Sequence, residues 1–210
     1  TFANGEKINT GALPKTAAMI SPRFGFNYDV TGDRTVVVRG GTGVFTGRIP
    51  YVWIVAQSGD AGMLQYLDNS LRPNFNPDYK ANYPATKPTP GTSIPSSISA
   101  MSQDLKFPST WKSSLGVDVK LPWGMIGSLE GIYNKDINAV VARNANLVDP
   151  TEMNITGYPD HRLKYPSGVN RYINKLGKDA SGNSVISATG TGNFDAIVMD
   201  NAKGGNYWSL

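Results

Sequence analysis

Apolar and polar residues alternate with a period of two through four stretches of eleven residues each: Ile20–Val30, Thr35–Phe45, Trp111–Leu121 and Met125–Lys135. A period of two places alternate side chains on opposite faces of a pleated strand. The stretches form two pairs. Thr31-Gly32-Asp33-Arg34 joins the first pair and Pro122-Trp123-Gly124 the second, and both connectors have hairpin-turn composition. Eleven residues is long for a globular strand, which usually runs about five or six. It suits a tilted strand crossing a bilayer, which needs roughly 9–11. The pattern predicts an all-β fold, an antiparallel transmembrane β-barrel.

The faces can be read from the alternation. In the first stretch Ile20, Pro22, Phe24, Phe26, Tyr28 and Val30 share the apolar side, opposite Ser21, Arg23, Gly25, Asn27 and Asp29. Pro22 cannot donate to a ladder and marks a strand end or a bulge. In the third, Trp111, Ser113, Leu115, Val117, Val119 and Leu121 oppose Lys112, Ser114, Gly116, Asp118 and Lys120. In the fourth, Met125, Gly127, Leu129, Gly131 and Tyr133 are assigned outward, and Ile126, Ser128, Glu130, Ile132 and Asn134 inward.

Between the hairpins the alternation stops. Residues 47–109 hold turn-rich clusters and a Pro/Ser/Thr tract, and residues 140–193 are again loop-like. Within the first of these, Tyr51–Val55 reads as a ligand- or lipid-facing patch at the rim or, more simply, as the continuation of a strand. Long connections alternating with tight turns are the habit of outer-membrane barrels, with the tight turns at the periplasmic side. A fifth strand is expected over 194–210. The whole of 1–210 is expected to be part of one barrel domain, and the unfinished sheet suggests a fragment of a larger barrel.

Composition adds exclusions. Mean hydropathy is −0.29, which suits a barrel whose residues alternate between lipid and lumen. No apolar run approaches the ~20 residues of a transmembrane helix. Cysteine is absent, so no disulfide staples the fold. The net charge of +4 comes from scattered basic residues, without the clustered footprint of a nucleic-acid binder.

Candidate chemistry is confined to a few groups. The charged residues of the polar face, Arg23, Arg39, Lys112, Asp118 and Glu130, are lumen-facing candidates for contact with a plug or a solute. Solvation and cross-strand pairing on a wet wall is the simpler reading. Tyr28, Trp111, Trp123 and Tyr133 fall near strand ends, as interfacial aromatics do. Asp68-Asn69-Ser70 and Asn76-Pro77-Asp78 offer oxygens to Ca²⁺ but match turn chemistry better. His161 is the sole histidine; no zinc site, cofactor or enzymatic activity is expected, and no Gly-x-Ser-x-Gly elbow occurs.

Four segments carry a family resemblance: Ser21–Asn27 (SPRFGFN), Arg39–Trp53 (RGGTGVFTGRIPYVW), Lys120–Gly124 (KLPWG) and Glu130–Asn138 (EGIYNKDIN). They resemble TonB-dependent receptors of the Oar-like type, outer-membrane transporters of Bacteroidetes-like bacteria. The block from Arg39 to Trp53 is the most specific. The resemblance implies location in the cell outer membrane, contact with its lipid, a plug domain in the same full-length chain and a TonB-type energising protein. It implies capture of a ligand by the outer loops, followed by energised plug movement. The ligand itself is unknown. Two other readings remain open here: a non-transporting barrel used in adhesion or secretion, and a soluble β-sandwich binding module.

Overall fold

The structure, a computed structural model, describes residues 1–59, 74–83, 94–157, 159 and 161–210. Among these residues the strands are β1 (Arg23–Asp29), β2 (Val36–Thr46), β3 (Ser97–Met101), β4 (Ser109–Lys120), β5 (Ile126–Asn144), β6 (Thr151–Glu152), β7 (Leu163–Lys164), β8 (Lys175–Lys178), β9 (Ser184–Ser187), β10 (Asp195–Ala202) and β11 (Asn206–Ser209). One α-helix, α1, covers Tyr51–Gly59. No helix among the described residues is long and apolar enough to cross a membrane.

The residues form two compact units. One comprises Leu13–Trp53, Met101–Ala142 and Met199–Leu210. Its centre is an antiparallel sheet in the order β1-β2-β4-β5, with β11 also paired to β5. The register aligns Phe26, Gly40, Leu115 and Gly131 across four strands, and Asn27, Arg39, Gly116 and Glu130 one position along. Because side chains alternate, this register gathers Phe24, Phe26, Tyr28, Val38, Leu115, Val117 and Leu129 on one face. That face stays largely bare: Phe24 is 68 % exposed and Leu129 63 %. An apolar sheet face of this extent is stable when covered by something apolar. Eleven residues, the length of β2, rise about 36 Å and span about 25 Å when tilted by roughly 45°, the height of a barrel's lipid-facing band.

The tight turns are held by their own side chains. At the β1–β2 turn, Asp29 accepts hydrogen bonds from the backbone N–H of Gly32 (2.9 Å) and of Arg34 (3.0 Å). Asp33 accepts one from Thr35 N–H at 2.8 Å. At the β4–β5 turn, Leu121 N–H bonds the Met125 carbonyl at 2.8 Å, and Trp123 and Gly124 both take positive φ, 64° and 74°.

The second unit comprises Thr1–Ala12, Ile54–Ala100 and Arg143–Val198. Ala145 N–H bonds the Ala196 carbonyl, and Asp195 N–H bonds that of Ser96. The short ladders β6–β7 and β8–β9 also belong here. Its buried residues include Ala100, Ala145, Tyr172, Phe194, Ala196 and Val198. Asn146 is fully buried and uses its whole amide. It donates to the carbonyls of Asn174 (2.7 Å) and Phe194 (2.6 Å), and accepts from Asn174 N–H and Nδ2. Arg143 grips Glu6 with two bonds of 2.7 Å.

Several expectations are corrected. The run Tyr51–Ala56 is helical, within α1, and does not continue β2. Pro50 lacks the N–H that a ladder requires, and its carbonyl instead accepts from Trp53 N–H in a first turn. The 47–109 segment contains β3, a neighbour of β10. The 140–193 segment contains the end of β5 and the ladders β6–β9. The first strand begins after Pro22, at Arg23. The 194–210 strand is two strands, broken at Lys203-Gly204-Gly205. Asn76-Pro77-Asp78 has the turn chemistry expected of it: Asn76 Oδ1 accepts from Asp78 N–H and Asp78 Oδ1 from Lys80 N–H. Asp68-Asn69-Ser70 lies outside the described residues.

Candidate functional site

The polar face of the β1-β2-β4-β5 sheet holds the charged candidates, in two groups. Near the tight turns, Arg39 on β2 donates from Nε to Asp118 Oδ2 on β4 at 2.9 Å. Its Nη2 reaches Glu130 Oε2 on β5 at 3.3 Å. Ser128 adds a 2.6 Å bond to the other oxygen of Asp118. Gly116 lies between: a Cβ there would stand 3.4 Å from Arg39 Cζ. That distance is ordinary contact; it is the register that carries the guanidinium across β4, where it bridges three strands. The ion pairs are about one-third exposed, so solvent screens them and each adds little to stability. Arg39 is thus engaged within the wall.

Toward the other end of the strands, Arg23 and Lys112 converge on Phe45. The Arg23 Cζ lies 4.6 Å from the ring centroid and Lys112 Nζ 5.8 Å, within cation–π range. The two groups are separated by the row Gly25-Gly41-Ser114-Ile132, which carries no charged side chain. Asp29 and Lys120, on the same face by alternation, serve the β1–β2 turn instead: Lys120 Nζ donates to the Asp33 carbonyl at 3.1 Å.

The aromatic candidates sit on the apolar face or at a turn. Trp111 and Tyr133 meet edge-to-face at 5.9 Å, and the indole N–H donates to Thr42 Oγ1 at 2.7 Å. Trp208 stands opposite Tyr133 on β11 and continues this row across a third strand. At the opposite strand ends, Tyr28 is 63 % exposed and Trp123 91 % exposed. Trp123 holds a left-handed backbone that a tryptophan adopts only at a cost, and it packs on nothing.

Sequence reasoning missed Phe45 as an organiser of two cations, and Asn134, whose Oδ1 is buried without a hydrogen-bond partner among the described residues. The signal for Phe45 was a lone aromatic on an otherwise polar face. His161 pairs with Glu152 at 2.9 Å, both exposed. Among the described residues no cluster of His, Cys, Asp or Glu has the makings of a metal site.

Neither the comparison with curated proteins nor that with solved structures returned a match. A family model described as an outer membrane beta barrel domain matches residues 1–203. With its bare apolar face, aromatic rows and polar opposite face, this chain belongs to the outer membrane beta barrel domain family and resides in the cell outer membrane.

Proposed function

We propose that this barrel is a TonB-dependent receptor of the Oar-like type, which moves a ligand across the outer membrane. The observation that carries the reading is the Arg39–Trp53 block, RGGTGVFTGRIPYVW, with the shorter matching segments around it. Two structural features support it. The turns at one end of the sheet are short and self-capped, whereas the segments leaving the other end are long and carry their own ladders. Charged groups line the polar face, which in a barrel is the lumenal wall. In this reading the long segments capture ligand outside, and a plug in the same full-length chain yields when a TonB-type partner pulls on it. The chain performs no catalysis; it binds and passes.

The test is genetic. Deleting the gene, or disabling the energising complex, is expected to abolish uptake of the same nutrient to the same extent. If deletion leaves uptake intact and instead removes adhesion or secretion, the barrel is a platform and the transport reading fails.

A further inference from the structure

Arg23 and Lys112 are cations of the polar face without a carboxylate partner among the described residues. Arg23 on β1 and Lys112 on β4 both stand opposite Gly43 of β2, one from each side. Their Cα atoms are therefore two strand spacings apart, about 10 Å. Gly43 puts no side chain between them, and a Cβ there would press within 3.0 Å of Arg23 Cγ. Both side chains lean to Phe45, the next residue of β2 on that face. Neither forms an ion pair among the described residues, whereas Arg39 on the same face has two. The neighbouring row is small across β1, β2 and β4 (Gly25, Gly41, Ser114) and ends on Ile132 of β5.

Two cations thus flank the Gly43 backbone, with the Phe45 ring beyond it. Uncompensated charge in a low-dielectric wall concentrates anions. The ring restrains both cations before any ligand arrives, which lowers the entropy lost on binding. We propose that this pair of cations binds a multivalent anion, a solute carrying two or more carboxylate or phosphate groups. Arg23 grips one group through its planar fork, and Lys112 holds another as a point charge. The site rests on the transport reading for its role, as a station along the lumenal wall.

The experiment uses the purified full-length protein in detergent, with pyrophosphate as the probe. Lysine acylation by a small amine reagent is followed residue by residue by mass spectrometry. Chloride at equal ionic strength is the control, and Lys120, tied to the Asp33 carbonyl, is the internal reference. Pyrophosphate is expected to slow acylation of Lys112 several-fold and to leave Lys120 unchanged. Arg23→Gln is expected to raise the half-protecting concentration about tenfold, the loss of one charge-assisted contact. Arg23→Lys, which keeps the charge without the fork, falls between. Heat-modifiable migration on gels checks that each variant is folded. Equal Lys112 rates in pyrophosphate and chloride overturn the proposal. So does resistance of Lys112 to acylation with no anion added, because a group of the same chain then already covers it. None of these readouts involves energised uptake, so the site and the transport reading fail separately.

Discussion

Asp33 shows how much a single exposed residue does at a tight turn. Hydrogen bonds from Thr31 and Thr35 hold its carboxyl down at about 2, from an ordinary 3.8. A depressed folded-state value means that the ionised form favours the folded hairpin. That contribution is complete above the unfolded value near 4 and disappears as pH falls through about 2. Asp33→Asn keeps an acceptor for Thr35 N–H but loses the charge. The expected outcome is a flatter acid limb between pH about 4 and about 2 for the variant. Folded fraction, measured by gel mobility after incubation in detergent, checks it. Identical limbs for the two proteins would assign the acid sensitivity to other groups.

At the scale of the element, the strands were legible and the connections were not. Eleven positions of alternation commit a strand to one facing, because a slip by one residue exchanges every side chain. The facing of Leu115, Leu129 and Tyr133 followed from that alone. The six-residue run Tyr51–Ala56 is too short to distinguish a helix period from a buried strand, and β-branched Val52, Ile54 and Val55 argued for the wrong answer. Two- and four-residue ladders such as β6–β7 and β8–β9 have no period to read. The charge cluster was hidden for another reason. Arg39, Asp118 and Glu130 were each visible, but their meeting depends on the register of β2 against β4, set across a connection of some sixty residues. The facing itself predicts an asymmetry. Leu115→Arg places a cation on the apolar face near mid-strand and is expected to cost about 2–4 kcal/mol in a bilayer. Ser114→Arg, one residue away on the polar face, is expected to change little. Reversible unfolding in lipid vesicles measures both. Equal costs would mean that the two faces meet the same medium.

For the molecule as a whole, the two compact units are stabilised by different means, and this has a measurable consequence. The β1-β2-β4-β5 sheet gains from lipid against its apolar face, so its stability resides in the bilayer. The unit built from Thr1–Ala12, Ile54–Ala100 and Arg143–Val198 relies on a polar centre. Asn146 there satisfies two carbonyls and accepts twice, at zero exposure. Asn144 continues the network, accepting from the N–H groups of Asn146 and Ala196 and donating to Asp195. Removing one partner from a buried network leaves the others unsatisfied, which costs more than the bond itself contributed. Asn146→Ala orphans the carbonyls of Asn174 and Phe194 together, a loss of about 3 kcal/mol. The effect is expected to stay local. Protease cleavage between residues 143 and 195 should accelerate by about two orders of magnitude if cutting follows local opening, while the heat-modified gel shift of the barrel persists. Loss of the gel shift together with the loop would show that the two units fold as one, and that the buried asparagine supports the wall as well as the segments outside it.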